Sequence, residues 1–202
     1  MSTALIVFAK APVAGAVKTR LIPALGAEAA AALAARLLAH TVAAGMAAGF
    51  DHVELCVAPD TSHAAFGALA AAHLLVLTVQ GEGDLGARMD RALTRVLRHH
   101  HHAVLIGTDA PALDAARLRD AAQALRSADA VFVPALDGGY ALVGLQRPQP
   151  ALFQGIAWST AQVMAQTRAR ALAAGLTWAE RDPVSDIDEP ADLVHLPADW
   201  AA

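Results

Sequence analysis

The chain has 202 residues, of which 56% are hydrophobic and 17% are charged, and its formal net charge is −4. This length and apolar content suit one globular domain over residues 1–202 and exclude a disordered chain. The small negative charge argues against nucleic acid as a partner, so any phosphate group must be bound by a few placed cations and backbone amides.

The chain carries a single cysteine, Cys56, which excludes an internal disulfide and fits a reducing compartment. The apolar run near the N-terminus is too short for a transmembrane helix and has no basic region before it. Later apolar segments are interrupted by charges, histidines or glycine and proline. These features predict a cytoplasmic protein without a membrane span.

Apolar runs of strand length alternate with alanine-rich helical stretches along most of the chain. Capping residues and glycines mark where the helices begin and end. Repeated strand–helix units predict a mainly parallel sheet with helices on both faces. The predicted strands are residues 4–9, 53–58, 74–80, 103–107 and 130–135, and the predicted helices are residues 27–49, 62–72, 84–98 and 114–126.

The alternation changes after the fifth strand. A strand-like run at residues 140–145 follows it after only a short Asp137-Gly138-Gly139 turn. Because a parallel crossover needs about a dozen residues, we predict that this strand is antiparallel. The remaining predicted elements are a helix over residues 159–174, a short strand near residues 176–179 and a final helix after Pro190.

Polar or glycine-rich turns follow four of the predicted strands, at residues 10–20, 80–84, 108–109 and 137–139. In an open parallel sheet, ligands bind beyond the carboxyl ends of the strands. Since all four turns lie at that edge, together they predict a binding site there.

Two acidic motifs have the chemistry of a metal site. Asp109 ends the fourth strand before a proline turn, where a carboxylate suits Mg²⁺ or Mn²⁺ beside phosphates. Asp186 and Asp188 are two residues apart, so in extended chain their side chains point the same way and both can reach one metal or two adjacent ones. The alternatives are a turn aspartate at Asp109 and a helix cap at Asp188.

The turn after the first strand is a candidate phosphate loop. Lys10, Lys18 and Arg20 supply positive charge, while Pro12 and Gly15 shape the backbone. It does not match a Walker A loop because no glycine directly precedes the lysine. The alternative is a solvated connection between elements.

Two further motifs have both a binding and a structural interpretation. Gly138 and Gly139 allow a ligand to approach closely, but Asp-Gly is also a strong hairpin signal. Ser159 and Thr160 open a predicted helix whose N-terminus suits an anionic acceptor, but a plain N-cap explains them equally.

Six motifs occur in a characteristic order along nearly the whole chain. They are Phe8-Ala9-Lys10-Ala11-Pro12 with Lys18-Thr19-Arg20, Gln80-Gly81 with Asp84-Leu85-Gly86, Gly107-Thr108-Asp109-Ala110-Pro111, Asp137-Gly138-Gly139-Tyr140, Trp158-Ser159-Thr160 and Asp186-Ile187-Asp188-Glu189-Pro190. The set resembles the GT-A-fold bacterial glycosyltransferase-like proteins of the nucleotide-diphospho-sugar transferase superfamily, of the type associated with radical-SAM or selenoprotein domains. The resemblance implies a Rossmann-like three-layer α/β/α sandwich.

The same superfamily holds the 2-phospho-L-lactate guanylyltransferases, and the resemblance implies roles for individual residues. The implied ligands of Mg²⁺ or Mn²⁺ are Asp109, Asp186 and Asp188. The implied nucleotide-binding residues are Lys10, Ala11, Pro12, Gly15, Lys18, Arg20, Gln80, Gly81 and Asp84. The implied acceptor-binding residues are Asp137, Gly138, Gly139, Ser159 and Thr160. The implied catalytic residues are Lys18, Arg20, Asp109 and Asp137.

The resemblance implies a metal-dependent glycosyltransferase that moves a sugar from a nucleotide sugar to a small-molecule acceptor. If the reaction inverts the sugar carbon it needs a carboxylate base, for which Asp137 is the candidate. The alternative is a nucleotidyltransferase that uses a nucleoside triphosphate, which three carboxylates able to hold two metals slightly favour. A second alternative is a catalytically silent nucleotide-binding accessory module, against which the intact acidic residues argue. The alanine-rich surface is compatible with a homodimer.

Overall fold

The computed structural model describes residues 1–200, and seven strands form a single sheet. The strands are β1 (Thr3–Lys10), β2 (His52–Ala58), β3 (Val76–Val79), β4 (His102–Ile106), β5 (Ala130–Pro134), β6 (Tyr140–Leu145) and β7 (Trp178–Glu180). The α-helices are α1 (Ile22–Leu25), α2 (Ala27–Ala48), α3 (Ala64–His73), α4 (Leu85–Val96), α5 (Ala115–Ala124) and α6 (Val163–Ala173). Short 3-10 segments lie at Thr19–Leu21, Pro150–Leu152, Pro190–His195 and Ala198–Trp200.

The strand order is β3-β2-β1-β4-β6-β5-β7. β1 pairs in parallel with β2 and β4, β2 with β3, and β5 with β7. β6 is antiparallel to both of its neighbours, β4 and β5. The predicted α/β fold, with a mainly parallel sheet and an antiparallel strand after the Asp137-Gly138-Gly139 turn, is therefore confirmed.

Hydrophobic cores cover both faces of the sheet. Leu5 and Val7 of β1 pack on one face in the cluster that includes residues of α2, α3 and α5. Ile6 and Phe8 pack on the other face in the cluster that includes residues of α4 and α6. A strand buried on both faces needs apolar residues at successive positions, which explains the uninterrupted run at the start of the chain.

A third, smaller cluster connects the C-terminal segment to the first helices. It is built on the buried residues Leu21, Ala30, Leu37 and Ile187. Ile187 is fully buried although both of its neighbours are partly exposed aspartates. The cluster therefore anchors the acidic segment to the body of the fold.

Helix α2 is long and apolar enough by length and composition to cross a membrane, with a mean hydropathy of 1.4 over its most apolar stretch. In this fold it packs against α5, β1 and β2, and the side chains of Leu38 and Val42 are buried there. Core helices of α/β proteins share these properties, so length and composition alone carry little weight for a membrane span.

The caps predicted for the last two helices are not observed. α6 begins at Val163, and Ser159 lies before it in the left-handed conformation with φ 62°, so neither Ser159 nor Thr160 caps it. The backbone amide of Met164 in its first turn donates instead to Gly138 O at 2.8 Å, so a carbonyl from another segment replaces a side-chain cap. The final helix is a 3-10 segment capped by Glu189 in a capping box with Asp192, and Asp188 is left for another role.

Gly144 of β6 lies where the sheet meets α5 without room for a side chain. A Cβ there would lie 2.7 Å from Val131 Cγ1 and 3.0 Å from Leu125 Cδ1. We expect Gly144→Ala to destabilise the protein by about 1–3 kcal/mol through overpacking, measured by urea unfolding.

The matched control is Gly67→Ala in α3, where an added Cβ meets no atom of residues 1–200 within 4 Å. Because alanine is the better helix former, this variant should be more stable by up to about 1 kcal/mol. Equal stability of Gly144→Ala and the wild type would contradict the packing account.

Candidate functional site

An acidic cleft of about 320 Å³ lies at the edge of the sheet where the parallel strands end. Its walls come from the loop after β1, the turn between β5 and β6, and the segment after β7. The lining residues are Arg20, Leu136, Asp137, Ser185, Asp186, Asp188, Glu189, Asp192 and His195.

Backbone pairing brings the late acidic segment to this edge. After β7 the chain continues beside β5, where Val184 N donates to Pro134 O and Leu136 N donates to Val184 O, both at 3.0 Å. This pairing places Asp186 close to Asp137 of the hairpin turn, because each residue lies two positions after the bridged pair Ala135 and Val184.

A second backbone contact joins the same segment to the end of β4. Ile187 N donates to Asp109 O at 2.8 Å, and the Ile187 side chain is buried in the third hydrophobic cluster. Since alternate residues of extended chain point the same way, Asp186 and Asp188 both flank the anchored isoleucine on the cleft side. The structure thus brings the three predicted metal ligands into one region.

Lys18 lies inside this region instead of facing the open cleft. Its ammonium donates to Asp109 Oδ1, to Ile187 O at 2.6 Å and to Asp188 Oδ1 at 3.2 Å, and its side chain is only 6% exposed. The expectation that Lys18 contacts phosphates directly therefore does not describe this state of the protein. Here Lys18 is the counterion of two predicted metal ligands.

Arg20 lies on the open side of the cleft. Its side chain is 65% exposed, and its Nη1 lies 3.9 Å from Asp188 Oδ2 and 3.7 Å from Glu189 Oε1. Both distances exceed a hydrogen bond, so the guanidinium is held near the acidic cluster while its donors face the cleft.

Asp186 is surrounded by other carboxylates of the cleft. Burial, and then the nearby carboxylates of Asp137, Asp188 and Asp109, raise the pKa of Asp186 to about 6. Ionising this group at neutral pH is thus opposed by desolvation and by like charges. When ionised, these four carboxylates together carry more negative charge than the single positive charge of the nearby Lys18 neutralises.

The oxygen atoms of these carboxylates are of the kind that bind a hard divalent cation, although they are not arranged in the geometry of a metal site. Within the described residues, no three His, Cys, Asp or Glu side chains are spaced to hold a metal ion. Lys18 already bridges Asp109 and Asp188. Carboxylate and carbonyl oxygens are nevertheless the ligands that Mg²⁺ and Mn²⁺ prefer, and a cation would relieve the repulsion on Asp186.

Hydrogen bonds to other parts of the protein fix the predicted nucleotide-binding loop at residues 80–84. The Gln80 side chain points into the sheet, where Nε2 donates to Ala9 O at 3.1 Å and Cys56 O at 3.2 Å, so its amide nitrogen is not free to bind a nucleotide in this state. Asp84 caps α4, since its Oδ1 accepts from Ala87 N at 2.8 Å. The role of Asp84 in nucleotide binding stays a prediction.

Sequence reasoning missed the residue that fixes this loop. Arg91 of α4 donates to Gln80 O at 2.6 Å and to Glu82 O at 2.7 Å. Gly81 has φ 78°, and a Cβ there would lie 2.7 Å from Arg91 Nη1, so the glycine is needed for both reasons. Arg88 also donates to the loop, at Gly83 O. Arg91 follows Arg88 by one helical turn, so the spacing of the two arginines could have predicted that both face the loop.

The acceptor-side turn is a hairpin and also part of the cleft. Gly139 N donates to Asp137 Oδ1 at 2.8 Å, and Gly138 has φ 94°. A Cβ at Gly138 would overlap the backbone of Ala161, with Cα 2.7 Å away. The two glycines therefore serve the turn and its packing, and Asp137 is the residue that reaches the cleft.

The remaining predicted binding residues lie at the margins. Thr160 is exposed and its hydroxyl donates to Ala157 O at 2.7 Å, next to the exposed Ser159. Lys10 donates to Ala16 O at 3.1 Å and so stabilises its own loop. Ala11 is buried, and Pro12 and Gly15 shape the turn, Gly15 with φ 79°.

We expect Asp186→Asn to stabilise the metal-free protein at pH 7.5. A folded-state pKa of about 6 lies above the ordinary value of 3.8, so the stability that protonation of Asp186 contributes is fully present below pH 4 and is lost as the pH rises through 6. After reduction for solvent screening, the gain should be about 1 kcal/mol at pH 7.5 and close to zero at pH 4. Urea unfolding in EDTA at both pH values measures it.

The control is Asp182→Asn, which removes an exposed carboxylate a few residues away and outside this cleft. It should leave stability within about 0.5 kcal/mol of the wild type at both pH values. A loss of stability in Asp186→Asn at pH 7.5 would show that the carboxylate is stabilised, not opposed, by its neighbours.

Comparison with known structures confirms the fold expected from the motifs. A candidate nucleotide-diphospho-sugar transferase from Desulfovibrio desulfuricans G20 superposes with a TM-score of 0.88 at 28% identity, covering 100% of this chain and 89% of that one. Rv0371c from Mycobacterium tuberculosis in complex with manganese has a TM-score of 0.61 at 20% identity, covering 97% and 98%. A nucleotidyl transferase from Methanothermobacter thermautotrophicus has a TM-score of 0.64 at 15% identity, covering 96% and 95%. The last two similarities show the fold alone.

The sequence comparisons give the family. No curated protein matches the chain at a significant level. The sequence model of DUF2064, described as uncharacterized proteins conserved in bacteria, matches residues 41–160, which is more than half of the chain. The chain therefore belongs to the DUF2064 family, within the fold of the nucleotide-diphospho-sugar transferases.

Proposed function

We propose that this protein is a metal-dependent transferase that moves a sugar from a nucleotide sugar to a small acceptor. The observation that carries the proposal is the convergence of Asp109, Asp137, Asp186 and Asp188 with Lys18 and Arg20 at one edge of the sheet. The similarity to the Desulfovibrio protein supports a nucleotide-sugar donor, because it extends over this whole chain.

Arg20 is the residue best placed to bind the diphosphate of the donor. It is exposed in the cleft, and its two acidic neighbours lie beyond hydrogen-bonding distance. A guanidinium presents its donors in a planar fork that matches phosphate oxygens. The same residue also reduces the repulsion between an anionic donor and the acidic cleft.

Asp109, Asp186 and Asp188 would hold Mg²⁺ or Mn²⁺. Such an ion, when bound, supplies the positive charge that stabilises the leaving nucleoside diphosphate. The manganese complex of the Mycobacterium protein, which shares the fold, supports a metal in this proposal. The protein contributes the position of the carboxylates, which Ile187 fixes through its buried side chain and its bond to Asp109 O.

Asp137 is the proposed general base. Gly139 N holds Oδ1 at 2.8 Å, which orients the carboxylate toward the cleft and leaves Oδ2 for the acceptor. Asp137 would take the proton of an acceptor hydroxyl as its oxygen bonds to the anomeric carbon. The bond from that carbon to the phosphate oxygen breaks, and the nucleoside diphosphate leaves with the bonding electrons.

The number of carboxylates favours nucleotidyl transfer as the second candidate. Asp186 and the three carboxylates that act on it exceed the one or two that usually hold a single magnesium ion, and two-metal sites are suited to attack at phosphorus. The Methanothermobacter protein, described as a nucleotidyl transferase, has the same fold. In this case the acceptor oxygen attacks the α-phosphorus of a nucleoside triphosphate and pyrophosphate leaves.

The leaving group separates the two reactions. The protein would be incubated with UDP-, GDP- and dTDP-sugars and with GTP, CTP and ATP in the presence of Mg²⁺ or Mn²⁺, and the products followed by phosphorus NMR. Glycosyl transfer, including slow transfer to water, releases a nucleoside diphosphate, whereas nucleotidyl transfer releases pyrophosphate. Release of neither product from any donor would contradict both and favour the accessory-module hypothesis.

Asp186→Asn tests whether the cleft performs this reaction. Since the substitution should preserve or raise stability at neutral pH, lost activity would not reflect unfolding. We expect product release to fall by about 10²–10³-fold, the usual scale for removing one electrostatic group from a site. Asp182→Asn should retain wild-type activity, and unchanged activity in Asp186→Asn would place the chemistry elsewhere.

A further inference from the structure

Lys18 occupies the position of a cation among oxygens that suit a metal. Its ammonium is surrounded by a carboxylate oxygen of Asp109, a carboxylate oxygen of Asp188 and the carbonyl oxygen of Ile187. These are oxygen donors of the kind that hold Mg²⁺ or Mn²⁺. The ammonium is a single charge, so a divalent ion would interact more strongly with the same two carboxylates.

The inward position of Lys18 depends on these partners. Its backbone is left-handed, with φ 47° and ψ 40°, at the start of the Thr19–Leu21 segment. A residue with a Cβ atom adopts this conformation only at an energetic cost, which its contacts must offset. The hydrogen bond from Leu21 N to Lys18 O at 2.9 Å and the contacts of the ammonium supply that offset.

A metal ion and the Lys18 ammonium cannot share these oxygens. Moving the ammonium into water would lose its contacts with two carboxylates and one carbonyl, whereas the phosphate groups of a donor in the cleft would give it new anionic partners. The adjacent Arg20 remains exposed and can bind the donor without displacing any group. Donor phosphates therefore remove the obstacle to metal binding.

We propose that Lys18 is the resident cation of the metal site, and that it makes metal binding conditional on the donor by moving from the carboxylates to the phosphates. The proposal rests on the proposed function for the identity of the donor, but not for the competition between Lys18 and the metal. Binding of donor and metal must then be mutually strengthening, since coupling between two ligands is reciprocal. Without the Lys18 ammonium, the affinity for the metal should no longer depend on the donor.

The test is the affinity for Mn²⁺ alone, measured by electron paramagnetic resonance of the free ion with the metal-free, full-length protein. Lys18→Met should bind Mn²⁺ at least tenfold more tightly than the wild type. The control Lys10→Met removes a charge from the same loop, where the ammonium bonds to Ala16 O, and should change the affinity less than twofold. Equal or weaker Mn²⁺ binding by Lys18→Met overturns the proposal.

A second variant and a second readout keep the test decisive if Lys18→Met folds poorly. Lys18→Gln retains an amide donor and should also bind Mn²⁺ more tightly than the wild type. In EDTA both variants should melt below the wild type, because Asp109 and Asp188 lose their counterion, and Mn²⁺ should raise their melting temperatures more than that of the wild type. An equal Mn²⁺ shift in all three proteins would overturn the proposal.

The results also separate this proposal from the proposed function. Tighter Mn²⁺ binding by the variants, without product release by the wild type from any donor, would support the role of Lys18 and contradict the transferase. Product release by the wild type, with equal Mn²⁺ affinity in the variants, would support the transferase and overturn the role of Lys18.

Discussion

The ion-paired ammonium of Lys18 joins the chain segments on which the candidate site depends. It connects the loop after β1 to Asp109 at the end of β4 and to Asp188 in the C-terminal segment. The backbone bond from Ile187 to Asp109 and the burial of the Ile187 side chain support the same junction. Pairing beside β5 and packing of Leu193, Leu196 and Trp200 against the first helices attach the rest of the C-terminal segment.

The carboxylates of the cleft also repel one another. Asp186 is kept beside three other carboxylates, which together with burial raises its pKa to about 6. A site selected only for stability would not place four acidic groups so close together, and the two-sided core of the sheet can tolerate the cost. Local conflict of this kind is expected where binding, and not folding, determines the residues.

Features that depend on neighbouring residues could be predicted from the sequence, whereas features that depend on contacts with distant segments could not. The strand at Tyr140–Leu145 was predicted with its direction, because a short turn permits only an antiparallel partner. The meeting of Asp109 with Asp186 and Asp188 was implied by the family resemblance, because the residue pattern alone did not place the late acidic segment at the same edge of the sheet as Asp109. The inward position of Lys18 depends on partners 91 and 170 residues away and on a left-handed backbone, which no local pattern indicates. The start of α6 is likewise set by a carbonyl of Gly138, far from the helix in sequence.

We propose that these carboxylates form a metal site which a nucleotide-activated donor completes. Anomalous diffraction from crystals grown with Mn²⁺ and the donor identified by product release would locate the metal and its ligands. We expect a manganese peak coordinated by Asp109, Asp186, Asp188 and a donor phosphate, with the Lys18 ammonium moved onto the phosphates. A structure with bound donor in which Lys18 still bridges Asp109 and Asp188, and manganese is found elsewhere, would contradict it.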